Sequence, residues 1–478
     1  MNQRRRRPFE WGPRHLPLAG FLTGLLLMLP GVLPVAAPVQ AVAFVPLLIA
    51  LPRVKRWREC LHIGLLMGLG FVAPQILLLQ LPPLISLILV LYFVVVLVVL
   101  VVVAWRLVCP VDFWGCLAFG ALLALVDWGT VTALPMWGTA QSLARCWSAY
   151  PRAIAFTAVT GMAGIMFVLG AAQALAVLAV GQKRRWASCL LALLVVGIAV
   201  GVMDLAALRP EPERYLKVAA VGWKFDPEHG DPGNASGFAK LYAEPVEAAA
   251  SQGARLIVSP ETAFAIYDDS EHDPFDKFVE LARTHGVYLA VGYMDIRSGE
   301  NRVAFLGPDG TVLGRYTKTH LTPFESSPKG DGQPVLVTID GVSVGVMICH
   351  DDNYTDISRR YGQEATGIVV VPTNDWRQVR AAHFQSTIHR AIESRFAIVR
   401  ATSNGISAII SPDGVVLDVC DHFREGPGLV MAEVPVYRTE TFFSRLGHWF
   451  VPVCLICLAA QAVWRTTNER SVARSATS

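Results

Sequence analysis

Long apolar runs fill both ends of this 478-residue chain, and one charged, hairpin-punctuated block lies between them. That arrangement constrains the fold more than any motif. A bilayer-crossing helix needs about 20 mostly apolar residues. Segments 16–34, 38–52, 60–80, 84–105, 112–131, 153–180, 186–206 and 446–464 fit that description. The expected layout is seven spans within residues 1–210, a folded block over 215–436, an eighth span over 445–465 and a tail, 466–478. The second run is short and bounded by Pro38 and Pro52, which makes it the weakest of the set. Only 17% of residues are charged, against roughly 25% in soluble proteins.

Lys and Arg collect in cytoplasmic loops. Here they cluster at Arg4 to Arg7 with Arg14; at Arg53, Lys55, Arg56 and Arg58; at Arg106; at Lys183 to Arg185; and at Arg465, Arg470 and Arg474. The clusters recur two spans apart, so one topology satisfies them all: both termini inside, the 215–436 block outside. The basic, then apolar, N-terminus imitates a signal peptide but lacks a small-residue cleavage site, so it reads as an uncleaved first span. A net charge of +3 offers no nucleic-acid footprint. Nine scattered cysteines have no zinc-site spacing and, being odd in number, suggest no disulfide framework.

Within the block, 217–223 reads as a strand, 237–252 as a helix and 255–260 as a strand ending at Glu261. Segment 275–285 is helix-like and 287–293 strand-like. Pro308-Asp309-Gly310, Asp340-Gly341, Asn404-Gly405 and Pro412-Asp413-Gly414 are turn signals between β-rich runs. Runs 342–349 and 367–375 are buried strands, and Phe384, Ile388 and Ile392 repeat at helical spacing in 381–395. Alternation early and hairpins late predict two sheets with helices outside, an α-β-β-α sandwich.

Three of the strand-like runs end in reactive side chains: Glu261 in LIVSPETAF, Lys318 in GRYTKTHLTPFE and Cys349 in VGVMICHDD. A carboxylate, an amine and a thiol suffice for acyl transfer through a thioester. Read singly, each has a plainer account. Cys349 is a small core residue at a strand end, Glu261 a helix-start carboxylate and Lys318 a surface charge. His350 invites a Cys-His dyad, but neighbours on a strand face opposite ways. His350-Asp351-Asp352 matches no common metal site. Trp137 and Trp376 line a lipid entrance or are ordinary interfacial aromatics. Tyr316 and Asn374 are further candidates for substrate contact, whereas His383 and His389 read as helix-surface or packing residues.

Together these runs resemble the nitrilase superfamily: a Glu after a strand, a Lys in Y-x-K-x-H-L-x-P-F and a Cys ending V-G-V-x-I-C. With the flanking spans, and with KTHLTPFE, TNDW and RAIESRFAIVRATSNGISAIISPDG, the chain resembles the apolipoprotein N-acyltransferase family. The loop PMWGTAQSLARCWSAYP is a looser match. The resemblance implies Cys349 as nucleophile, Glu261 as general base and acid, and Lys318 as stabiliser of thiolate and oxyanion. It places Glu325 as a second glutamate that orients Lys318, and the His350 N–H as an oxyanion donor. It implies a monomer in a bacterial inner membrane that needs no cofactor. The donor would be a phospholipid and the acceptor a diacylated lipoprotein. A membrane-bound amidase and a non-catalytic lipoprotein-binding paralogue are the alternatives. This chain departs from the family pattern in three places. His350-Asp351 replaces Tyr-Glu, Pro323-Phe324-Glu325 is one residue short, and the segment after Trp376 runs quickly into a helix.

Overall fold

In the computed structural model the described residues are 15–79, 82–109, 111–133, 137–181, 197, 211–222, 235–267, 275–323 and 325–477. Apolar runs bounded by turn signals become strands: β1 (Arg214–Val221), β2 (Leu256–Val258), β3 (Phe264–Ile266), β4 (Tyr288–Asp295), β5 (Glu300–Leu306), β6 (Val312–Thr317), β7 (Val337–Ile339), β8 (Val342–Val346), β9 (Ile368–Asn374), β10 (Ala397–Ser403), β11 (Ile406–Ile410), β12 (Val416–Asp421) and β13 (Leu429–Val436). One sheet runs β13-β1-β2-β4-β5-β6, with β3 also on β4; the other runs β12-β11-β10-β9-β8-β7. β1, β2 and β4 are parallel, as are β8, β9 and β10. Parallel neighbours need crossovers, which the helices Ala235–Ser251, Asp276–His285, Thr355–Gln363 and Arg380–Ser394 supply.

The two-residue period of β1 shows why four layers form. Leu216, Val218 and Ala220 face Val344, Val370 and Val399 of the second sheet in an inner core. Ala219 and Val221 face outward, under Phe238, Tyr242 and Phe278 of the first two helices. Ile388 and Ile392 cover the outer side of the second sheet. The four turn signals all join antiparallel pairs. Asp340 and Asn404 take φ of +46° and +54°, the left-handed values that tight hairpins need. β13 had no local signal. It returns after β12 to pair antiparallel along all of β1.

Among the described residues, five helices are long and apolar enough to cross a bilayer: Pro34–Arg53, Trp57–Leu78, Pro83–Leu107, Phe113–Ala133 and Phe450–Asn468. Leu16–Val32 is apolar but shorter, and the expected span 186–206 lies outside the described residues except for Gly197. The expected span 153–180 is broken in the structure. It is two helices, Pro151–Thr160 and Ala163–Ala179, bent by 112°. Gly161 makes the bend at φ +66°, and a Cβ there would sit 2.5 Å from the Phe443 ring. Three of the basic clusters share one face. Trp105 Nε1 donates to the Val54 carbonyl at 3.3 Å, and Arg465 reaches both the Val108 carbonyl and Asp112. The other basic clusters, at Arg4–Arg7 with Arg14 and at Lys183–Arg185, lie outside the described residues.

The folded block sits at the opposite ends of these helices. Trp449 Nε1 donates to Val159 O at 2.8 Å, the Met162 N–H to Glu393 Oε1 at 3.0 Å, and Thr139 Oγ1 to Asn353 O at 3.0 Å. Ile388 and Ile392 belong to the same buried cluster as Ile154, Phe156 and Met162. The block and the membrane helices therefore share one core, and the Arg380–Ser394 helix is buried between them. Gly161→Ala forces a side chain into a backbone region that is essentially glycine's, at a cost of about 1–3 kcal/mol. It should lower the midpoint of thermal unfolding. Gly129→Ala, whose Cβ meets nothing within 4 Å, should not. Equal midpoints would contradict the packing described.

Candidate active site

The site lies where parallel strands end, the usual place for ligands in such sheets. β2 runs into Pro260-Glu261, β8 into Cys349 and β9 into Asn374, while β6 delivers Lys318. Cys349 takes φ +46° and opens the 3₁₀ turn Cys349–Asn353. Such left-handed backbone at a non-glycine residue costs on the order of 1–3 kcal/mol and holds the thiol at the tip of a sharp elbow. Glu261 is flanked by Thr262, also at φ +46°. Gly292 of β4 presses on this turn: a Cβ there would lie 2.2 Å from Pro260 O. Glu261, Lys318 and Cys349 are 4%, 2% and 5% exposed.

Lys318 Nζ donates to Glu261 Oε1 and to Glu325 Oε2, both at 2.8 Å. Asn301, on β5, donates to the same two carboxylates at 2.7 and 3.2 Å. The Asn374 backbone joins Glu261 to Cys349. Its N–H donates to Glu261 Oε2 at 2.8 Å, and its carbonyl accepts from Cys349 Sγ at 3.8 Å. Burial, then the Glu261 charge, push the Cys349 thiol well above its ordinary range, with Lys318 pulling the other way. Burial opposes the charge on Lys318, yet Glu261, Cys349 and Glu325 together hold the ammonium above its ordinary range. A neutral thiol with a carboxylate and a fixed ammonium near it offers the kinds of group from which an activated nucleophile can be built.

Residues 217–442 match the family model described as carbon-nitrogen hydrolase. This stretch of the chain is a carbon-nitrogen hydrolase domain. The chain is also similar to an apolipoprotein N-acyltransferase of Geobacter metallireducens, with 29% identity over 57% of this chain and 58% of that protein. The match thus spans little more than half that relative's length. A deaminated glutathione amidase of Rattus norvegicus is 24% identical over 54% of this chain and 91% of its own. Among solved structures, Saccharomyces cerevisiae Nit3 of the nitrilase superfamily aligns with 50% of this chain and 97% of its own, at 17% identity and a TM-score of 0.42.

The residues that replace the expected Tyr-Glu pair have defined places in the hydrolase domain. Asp351 is fully buried. It accepts from the Tyr316 hydroxyl at 2.9 Å, the Ile348 N–H at 2.9 Å and the His320 N–H at 2.7 Å. It therefore ties the lysine loop to the cysteine elbow, and Tyr316 lies under the elbow with its hydroxyl committed to that tie. The His350 ring meets Asn353 Nδ2 at 3.1 Å and the Tyr354 hydroxyl at 3.2 Å. Burial, followed by the His383 and Lys318 charges, lowers it to about 3, so it is neutral.

Sequence reasoning missed Asn301 and left His383 as either a helix-surface or a packing residue. Far from lying on a helix surface, the His383 ring is buried behind the elbow. Its Nδ1 is 2.6 Å from Asp375 Oδ1, and its Nε2 is 2.5 Å from Asp352 Oδ1 and 3.2 Å from the Cys349 carbonyl. Arg400 bridges the same two carboxylates at 3.0 and 2.9 Å. Only the far-separated fragments TNDW, HDD and AIVRAT could have signalled this, and nothing local joins them. Cys349, Asp375 and His383 offer ligand atoms within 4.8 Å of one another, but hydrogen bonds to carboxylates occupy both His383 nitrogens. His389 on the same helix also packs, with Nε2 3.1 Å from Arg145 O.

A cleft opens between membrane helices and the hydrolase domain. Val32, Phe71 and Phe93 line it from the helices, Val379 and Ala382 from the domain, and Trp137 and Arg145 from the loop between. The three reactive side chains do not line it. Trp137 and Trp376 meet edge to face at 5.7 Å, and Trp376 is two residues beyond Asn374, so the aromatic pair links the cleft lining to the strand end that meets the thiol.

Burial lowers His383 and Asp352 raises it; with Asp375 adding and Arg400 opposing, it stands at about 9, and His320 also stands at about 9. Both raised groups contribute stability that is complete below the ordinary value of 6.5 and lost as pH rises through about 9. His350 and His389 are held near 3, and their contribution is lost as pH falls below 6.5. The thermal midpoint should therefore peak near about pH 6.5 and fall on both sides. A midpoint that is flat to pH 9 would contradict a charged His383.

Proposed function

We propose that this protein transfers an acyl chain from a membrane phospholipid, through a thioester on Cys349, to the amino terminus of a diacylglyceryl-cysteine lipoprotein. The observation that carries this reading is the apolar cleft, walled jointly by membrane helices and by the hydrolase domain, beside the Trp137–Trp376 pair. A lipid chain can reach such a cleft without leaving the bilayer. Glu261 takes the thiol proton, and Sγ attacks the ester carbonyl. Lys318 and the His350 N–H hold the resulting oxyanion, with Glu325 and Asn301 fixing Lys318. Collapse breaks the ester C–O bond, and Glu261 returns the proton to the departing lysophospholipid. The acceptor amine then attacks the thioester and gives a proton to Glu261; collapse breaks the C–S bond, and Glu261 returns the proton to the Cys349 thiolate. General acid–base help of this kind contributes typically 10²- to 10⁴-fold.

Hydrolysis is the second reading, because the domain alone matches an amidase over 91% of that protein. The core shared with the membrane helices favours lipid substrates. Full-length protein given phospholipid and a synthetic diacylated lipopeptide should yield the triacylated lipopeptide by mass spectrometry, and Cys349→Ala should yield none. Release of free fatty acid alone, across several lipopeptides, would establish the hydrolase instead.

The same reading puts the protein in a bacterial inner membrane with the hydrolase domain outside the cytoplasm. Arg53 to Arg58, Arg106 and Arg465 share the face opposite that domain, as cytoplasmic basic loops would. A fluorescent reporter that folds only in the cytoplasm, inserted at the surface turn of Gly426, should stay dark. A bright fusion would reverse the topology.

A further inference from the structure

We infer that His383 is a positioning residue for the transfer reaction: clamped between Asp352 and Asp375, it donates to the Cys349 carbonyl and so polarises the amide whose N–H receives the oxyanion. This inference rests on the thioester chemistry proposed above. His383 is 4% exposed, and Asp352, Asp375 and Arg400 are 0%, 5% and 0% exposed. A carboxylate only accepts, so a ring with one on each nitrogen is satisfied in both bonds only when doubly protonated. The cluster is then balanced, with two carboxylates against one guanidinium and one imidazolium. That balance makes its burial tolerable. Its position also supports a charged ring at about 9, because Asp352 and Asp375 outweigh burial and Arg400. Thr387 Oγ1 donates to Asp352 Oδ2 at 2.5 Å, which fixes that carboxylate further.

The functional link is the third contact. His383 Nε2 lies 3.2 Å from the Cys349 carbonyl oxygen. That carbonyl and the His350 N–H belong to one planar trans amide, so they point in opposite directions. A cation donating to the oxygen draws electron density from the nitrogen and strengthens its N–H as a donor, the cooperativity seen in chains of hydrogen bonds at low dielectric. The His350 N–H is the second of the Cys349–Asn353 turn, at a helix start where backbone donors lack intrahelical partners. As negative charge grows on the substrate oxygen, this amide carries part of it toward the buried cation. No bond to substrate forms at His383, and its proton stays on the ring.

Acylation and alkylation of the same thiol separate this role from mere scaffolding. Attack on an ester builds an oxyanion; displacement of iodide from iodoacetamide does not. In full-length His383→Gln, thioester formation from labelled phospholipid should slow roughly 10-fold, a fraction of what a whole oxyanion donor is worth. The half-saturating phospholipid fraction and the iodoacetamide rate at Cys349 should each stay within about twofold. Asp375→Asn, which weakens the clamp from the far side of the ring, should show the same split with a smaller loss. It carries the test if His383→Gln does not fold. Parallel loss of acylation and alkylation, or no loss of either, would overturn the inference. Absence of thioester in the unaltered protein would instead overturn the proposed function.

Discussion

One buried ammonium organises the active site. Lys318 is shared by Glu261 and Glu325, and Asn301 holds the same two carboxylates. Removing the cation would leave the buried Glu261 carboxylate facing the half-buried Glu325 carboxylate, a loss of up to about 3–5 kcal/mol by analogy with other broken buried pairs. With the cation in place, one carboxylate can remain charged beside a neutral thiol. The surrounding structure serves that arrangement: Gly292 gives the Glu261 turn its room, Asp351 fixes the lysine loop to the cysteine elbow, and the Asn374 backbone spans from carboxylate to thiol.

Behind the elbow, a second charged cluster faces the opposite way. Asp352, Asp375, His383 and Arg400 lie between the second sheet and the Arg380–Ser394 helix, and that helix also packs on the membrane helices. The strained Cys349 backbone is thus supported from both sides, by the lysine cluster in front and the histidine cluster behind. Glu393, on the same helix, accepts from Met162 at the bend made by Gly161. The membrane helices, the bend and the elbow are parts of one packed unit, so the apolar cleft is held at a fixed place relative to the thiol.

Much of this was legible in the sequence, and the gaps have physical causes. Strand-end placement of Glu261, Lys318 and Cys349 follows from apolar runs and turn residues, which are local signals. The hairpins at Asp340-Gly341 and Asn404-Gly405 were readable for the same reason. β13 was not, because its pairing with β1 joins residues that no turn connects. Asn301 sits in a strand of ordinary pattern, and its role exists only once β5 lies beside the Glu261 turn. The ion pairs of His383 were not readable because its partners come from β9, β10 and the elbow. The break at Gly161 was hidden in an apolar run whose composition resembles one continuous span. Hydropathy reports burial in general, not whether a helix turns by 112°.

The central claim is that Cys349 carries the acyl chain. Intact-mass measurement and peptide mapping of full-length protein after incubation with phospholipid test it most directly. The account predicts a single acyl mass on the Cys349 peptide, removed by neutral hydroxylamine, absent from Cys349→Ala and retained in Cys420→Ala. An acyl adduct that survives Cys349→Ala, or one found on another residue of the unaltered protein, would contradict it.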